Sequence, residues 1–331
     1  VQDHARLRWD LPISLGEWTL TAVAMRRETG APGVDTGAPP RAEDDHARQW
    51  DDEQILGLRG RVHAGAWRIE PTLNARRSKE RYLDPPLDVD SVHRPNMQHA
   101  GIVGSREFGA SHVAAGLDGE RQAITSTDVL DTDRLRGGAF VMGLHRIELP
   151  EAISADTAQL DITARADSYS DFGSVVSPRA GFVLRRASAR VFANVGESFR
   201  APTLNDLYWT PGGNPDLEPE RGAHRAVGVG WSDGSVSAEA SRFHTRFRNE
   251  IQWAPLANGS WSPLNVPRSR KSGWDGRVSV RQGPWRAALR GSRTIAVDVS
   301  DTPETNSTYD KQLRLIPKHM ASAEVMYTAA A

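Results

Sequence analysis

The sequence predicts an all-β fold, an antiparallel transmembrane β-barrel to which this chain contributes about 15 strands. Three observations carry the prediction. Apolar residues recur at every second position in segment after segment, which places them on one face of a sheet. Short turns and long polar loops alternate along the chain, as in barrels with short periplasmic turns and long extracellular loops. No apolar run approaches the roughly eighteen residues of a membrane helix, and no long 3.6-period stripe competes with the alternation.

The alternating segments are explicit. Trp67, Ile69, Pro71, Leu73 and Ala75 interleave with Arg68, Glu70, Thr72, Asn74 and Arg76. Phe140, Met142 and Leu144 begin another such run. Val191, Ala193 and Val195 oppose Arg190, Phe192 and Asn194, and Val227, Val229 and Trp231 continue the pattern. Trp285, Ala287, Leu289 and Gly291 interleave with Arg286, Ala288, Arg290 and Ser292, and Ala321, Ala323, Val325 and Tyr327 close the chain. One face is apolar and the other is charged.

Short turns are expected around 12–16, 63–65, 107–109, 185–186, 232–234 and 282–284. Long loops rich in Pro, Asp and Gly are expected at 28–48, 83–93, 124–133, 200–219, 254–268 and 299–309. Connection 171–175 is short and breaks the rhythm once; 149–156 is longer than the other turns. By this parity the loop at 200–219 and the chain start are extracellular and the chain end periplasmic. An odd strand number that starts outside predicts part of a larger barrel, one truncated domain over 1–331.

Composition narrows the function. A formal net charge of -1 offers no electrostatic case for nucleic acid. With no cysteine, a disulfide framework, an iron–sulfur cluster and a thiolate zinc site are excluded. The ten histidines are scattered, with no His-Glu-x-x-His pattern. No cofactor and no catalytic residue is expected. Gly230-Trp231-Ser232-Asp233-Gly234 fits a nucleophile elbow on paper, but that motif needs a helix after the serine. Here an alternating segment, 235–241, follows, and Asp233-Gly234 reads as a hairpin turn.

Acidic clusters (Asp44-Asp45, Asp51-Asp52-Glu53, and Asp84 with Asp88 and Asp90) read as solvated loop charge or as calcium ligands. Arg76, Arg77, Arg81, Arg286, Arg290 and Arg293 are expected on an inward face, where they pair with acidic groups or guide an anion, or simply form a sheet's polar side.

The most informative segment is 196–222, which holds Phe199-Arg200-Ala201-Pro202 and Asn214-Pro215-Asp216-Leu217 between two strands. Four prolines and a Gly-Gly pair make it an ordered loop of about twenty residues, a length that usually signals function. These two boxes resemble a signature of TonB-dependent outer-membrane receptors. Arg165 to Gly181, with Asp167, Tyr169, Asp171-Phe172-Gly173 and Ser177-Pro178-Arg179, resembles the strand pair before that signature. Phe247-Arg-Asn-Glu-Ile251 and Leu315-Ile-Pro-Lys-His319 resemble two later family strands.

The resemblance implies a barrel of about 22 strands around an N-terminal plug, with about three strands lacking before this chain and about four after it. It implies an outer-membrane protein whose plug is pulled by the TonB complex to import a ferric siderophore or a cobalamin-like ligand. Residues 203–213 contain no histidine, and His224 lies beyond the second box, which speaks against haem. Phe199, Arg200, Ala201, Pro202, Asn214, Pro215, Leu217, Pro219 and Glu220 are expected to be loop architecture, with Arg200 and Glu220 tying its ends. Tyr208 and Trp209, with Asn205 and Asp206 beside them, are the candidate ligand contacts, because adjacent aromatics at a polar loop tip are costly unless they touch something. The competing readings are a non-transporting outer-membrane barrel (porin or adhesin) and a soluble all-β binding protein or enzyme.

Overall fold

The computed structural model describes residues 2–30, 46–150, 152–153, 155–210, 212–256, 260–300, 309–313 and 316–328. Its strands, in chain order, are β1 (Gln2–Ile13), β2 (Gly16–Gly30), β3 (Arg48–Ala64), β4 (Trp67–Asp84) and β5 (Val89–Phe108). Next come β6 (Ser111–Ser126), β7 (Thr132–Glu148), β8 (Thr157–Tyr169), β9 (Gly173–Arg186) and β10 (Ala189–Arg200). The last are β11 (Glu220–Ser232), β12 (Val236–Pro255), β13 (Trp261–Gln282), β14 (Trp285–Asp298) and β15 (His319–Tyr327). All belong to one 15-stranded sheet in the order β1 to β15, each paired with its neighbours in sequence. Every pairing is antiparallel. β1 and β15 are the two edges of an open meander.

The register carries each face across the whole sheet, because residues directly opposite one another point the same way. One face bears Leu11, Leu73, Leu117, Ile162, Val195, Val229, Val278, Leu289 and Val325, all exposed, up to 68% for Val325. Among the described residues no second sheet covers them. On β10 and β11 exposure alternates residue by residue, with the apolar set the more exposed. A wall that curves away from that face explains the alternation: side chains splay on the convex side and crowd on the concave side. A soluble sandwich would bury this face instead.

Aromatic residues edge the apolar face at its short-turn end. Trp67 meets Phe108 edge-on at 6.3 Å between ring centroids, and Trp285 meets Tyr327 at 4.8 Å. Trp231 is exposed at the same level, just before the next turn. Such a girdle suits a membrane–water interface, where amphipathic rings sit at headgroup level.

Register also corrects two expectations. Phe140, Met142 and Leu144 fall on the polar face with Asp118, because Gly116 opposes Phe140 and Glu120 opposes Arg136. Leu135 and Val141 point outward on that strand instead. Arg77, Arg81 and Arg293 share the parity of Leu73 and Leu289 and so lie on the outer face, whereas Arg76, Arg286 and Arg290 face inward. Adjacent residues of a strand cannot share a face.

The long loops are shorter than their composition suggested. Four residues, including a 3₁₀ turn at Pro85–Leu87, join β4 to β5, five join β6 to β7, and β12 reaches Pro255 before β13 starts at Trp261. Polar, Pro-containing stretches here continue to pair, since cross-strand Arg–Asp pairs replace apolar ones above the band. The turn after β11 is formed as expected: Asp233 accepts hydrogen bonds from the Ser235 and Val236 amides at 2.9 and 2.8 Å, and a strand follows.

Candidate functional site

At the long-loop end of β8–β13, the segments singled out by sequence fold into one cluster. Arg200, the last residue of β10, lies directly opposite Glu220, the first of β11. Its guanidinium donates twice to the Glu220 carboxylate, at 2.8 and 2.6 Å. Glu220 also accepts the Ile251 amide at 2.6 Å, which ties β12 to the same pair. Such a fork-to-carboxylate contact fixes orientation as well as proximity.

Between these anchors the chain forms a short helix, α1 (Leu204–Tyr208), which the proline content of the loop had argued against. The prolines stand outside it, and a capping box starts it. Asp206 donates its amide to Thr203 Oγ1 at 3.0 Å, while the Thr203 amide donates to Asp206 Oδ2 at 2.9 Å. The other Asp206 oxygen accepts Trp253 Nε1 at 2.9 Å. Both carboxylate oxygens are therefore used, and the residue is buried.

Leu207, Leu217 and Ile251 form a small buried core, with Phe172 and Tyr208 packed against it. Pro202 is fully buried nearby. Phe199 packs on Tyr169, which also meets Phe172, at 5.4 and 5.2 Å. Asn214 caps the following turn: its Oδ1 accepts the Asp216 amide at 3.0 Å and its Nδ2 donates to Pro263 at 3.1 Å. Asn249 adopts a left-handed backbone (φ 56) and donates to the Glu218 carboxylate. Asn265 accepts the Glu218 amide at 2.8 Å and donates to the Glu218 and Asn249 carbonyls. The boxes at 199–202 and 214–217, the Tyr169–Gly173 segment and the 247–251 strand are thus one structural unit.

Trp209 lies over the Gly212-Gly213 pair. A Cβ on Gly213 would come within 2.6 Å of the Trp209 amide, and one on Gly212 within 2.6 Å of its ring. The ring meets Trp253 at 5.6 Å in an edge-on contact, and its backbone bridges to Val129. Among the described residues neither the Tyr208 hydroxyl, Trp209 Nε1 nor the exposed Asn205 side-chain amide has a protein hydrogen-bond partner. Sequence reasoning missed Arg134, Trp253 and Asn265. Arg134 is buried, donates to Asp171 at 2.6 Å and to the Pro202 carbonyl at 2.8 Å, and stacks 4.6 Å from the Phe172 ring centroid. Its pairing with Asp171 of the quoted segment was the available signal, but nothing local distinguishes one arginine at a strand start from another.

Among the described residues no group of three or more His, Asp or Glu is arranged to hold a metal. The clustered acids meet cations instead: Asp51 pairs with Arg27 at 2.6 Å, Asp52 with Arg26 at 2.8 Å, Glu53 with Arg76, and Asp90 with Arg81 at 2.8 Å. Asp44 and Asp45 lie outside the described residues, as does Leu315.

Known proteins share this fold and part of this sequence. Over 168 residues the chain is 27% identical to the vitamin B12 transporter BtuB of Vibrio vulnificus, covering 49% of this chain and 26% of that protein. Over 224 residues it is 25% identical to BtuB of Photobacterium profundum, covering 66% and 34% respectively. The chain therefore spans about a quarter to a third of these relatives. In fold it matches the siderophore receptor PirA of Acinetobacter baumannii with a TM-score of 0.73 at 12% identity, over 99% of this chain and 56% of that one. The FrpB iron transporter of Neisseria meningitidis gives 0.73 at 12% identity, over 98% and 57%. The sequence model of the TonB dependent receptor-like β-barrel family matches residues 7–330, nearly the whole chain, and the protein belongs to that family of outer-membrane barrels.

Proposed function

We propose that the chain is the wall of a receptor that takes up a cobalamin-like ligand or a ferric siderophore across the outer membrane, without catalysis. In the complete receptor a plug domain fills the barrel and the TonB complex drives transport. The observation that carries this reading is the convergence of the family's loop boxes into one buried cluster at the long-loop rim, held by Arg200, Glu220, Asp206 and Leu217. The sequence relatives named as vitamin B12 transporters support the cobalamin arm, and a further sequence relative named as an iron-regulated outer membrane protein, with the structural neighbours, supports the iron arm.

Asn205, Tyr208 and Trp209 contact the ligand in this reading, since their polar side-chain atoms have no protein partner among the described residues. Asp206 serves them indirectly by holding α1. The test is uptake of radiolabelled cyanocobalamin and of a panel of ferric siderophores by cells carrying the full-length receptor. One ligand should accumulate, and a protonophore should abolish its accumulation. Protonophore-insensitive passage of many small solutes would instead make the protein a porin. Asn205→Ala and Tyr208→Phe should lower ligand affinity about tenfold, while keeping the loop folded; wild-type affinity in both would remove these residues from the site.

A further inference from the structure

The outer face of β11–β13 carries a patch of arginine that the transport reading does not use. Arg221 and Arg225 on β11, Arg242, Arg246 and Arg248 on β12, and Arg270 on β13 are all exposed. Register makes them neighbours: Arg246 stands opposite Arg270, Arg221 opposite Arg248, and Arg225 opposite His244. Like charges placed directly opposite one another destabilise a sheet. Among the described residues no carboxylate forms an ion pair with any of these six. Glu250, two residues beyond Arg248, is turned to the other face past the left-handed Asn249, where its carboxylate accepts from Ser269 and Lys271; Glu197, opposite Ala223, forms no ion pair with Arg221 or Arg225.

The same face is managed differently elsewhere. Arg26 pairs with Asp52 at 2.8 Å, Arg81 with Asp90 at 2.8 Å and Arg121 with Asp133 at 3.0 Å, each time across adjacent strands. On β11–β13 the acids of those pairs have no counterpart. The patch also begins directly where the apolar band ends. Trp231, Val229 and Val227 lead up to Arg225, and Val236, Ala238 and Ala240 lead up to Arg242. Arg242 holds its guanidinium 5.4 Å from the ring centroid of Trp274, an exposed residue at the top of the β13 band. That arrangement suits an interface where a cation's stem lies on apolar surface and its head reaches polar groups.

We propose that this patch docks the phosphorylated headgroup of an outer-leaflet lipid, whose acyl chains lie along the apolar band beneath it. The charge is complementary, guanidinium pairs bind phosphate bidentately, and continuity with the lipid-facing band selects a lipid over a soluble anion. An acidic protein would have to enter the headgroup layer to reach Arg242. The phosphates replace the missing carboxylates and relieve the repulsion between Arg246 and Arg270.

Native mass spectrometry of the full-length receptor in detergent, with bisphosphorylated lipid A as the probe, tests the proposal. The wild type should hold the lipid, and the triple variant Arg225→Gln/Arg246→Gln/Arg270→Gln should bind it on the order of a hundredfold more weakly. Arg26→Gln/Arg81→Gln/Arg121→Gln should bind as the wild type does. Should the triple variant not insert, Arg246→Lys keeps the charge, loses the fork and should still bind severalfold more weakly. Unchanged binding in the variant measured, equal binding of fully dephosphorylated lipid, or displacement by equimolar inorganic phosphate would overturn the proposal.

Discussion

Asp206 shows how much one side chain carries in the rim cluster. One oxygen closes the capping box with Thr203 and the other accepts the Trp253 indole, so α1 is fixed to its own start and to β12 together. Replacing Asp206 with Ala removes both bonds and leaves a half-buried indole N–H without its acceptor. Losing a cap costs about 1 kcal/mol and an orphaned buried donor about 1–3 kcal/mol. We expect hydrogen exchange of the amides of 204–214 to accelerate by at least about tenfold in Asp206→Ala, for which 1.4 kcal/mol suffices, while strand amides of β10 and β11 stay protected. The sequence made Asp206 look like a ligand contact because a polar residue beside two aromatics has that signature. Its actual partner, Trp253, lies 47 residues away on another strand, and no local pattern announces a long-range hydrogen bond.

At the level of elements, strands were legible and their ends were not. A period of two survives any length, so the strands were readable from their outward residues. Loop boundaries rested on composition, and composition failed where Pro263 and Pro267 stand inside a long strand. α1 was invisible because five residues show no helical period. Turns with a chemical signature were legible, and the β11–β12 turn yields a pH prediction. The Val236 and Ser235 amides, in that order, hold the Asp233 carboxyl below its usual value by hydrogen-bonding its charged form. A group whose folded pKa is depressed stabilises the fold above its unfolded pKa and loses that contribution as pH falls through the folded pKa. The turn should therefore open more readily as pH falls below the ordinary carboxylate range. Amide exchange at Val236, corrected for intrinsic rate, should show that change in the wild type and not in Asp233→Asn. Equal pH dependence in both would mean that the carboxylate does not hold the turn.

For the whole molecule, the two faces of the wall make opposite demands on adjacent residues. Leu289 lies outward, 59% exposed, two outward positions above the girdle residue Trp285. Ala288 beside it points inward among polar groups, opposite Ser279 and Glu324. In a lipid bilayer an arginine near the middle of the outer band costs about 2–4 kcal/mol, whereas the lumen side tolerates charge. A soluble sheet with the same exposure would show water to Leu289 and accept Leu289→Arg within about 0.5 kcal/mol. Urea unfolding of the full-length receptor in phospholipid vesicles should therefore separate Leu289→Arg, destabilised by about 2–4 kcal/mol, from Ala288→Arg, which should stay within about 1 kcal/mol of wild type because Glu324 stands across the strand as a partner. Equal effects at the two positions would mean that the face carrying Leu289 does not meet lipid. Alternation alone had assigned these faces, but it misassigned Phe140, since a run of apolar residues names a face and only register with the neighbouring strand says which one.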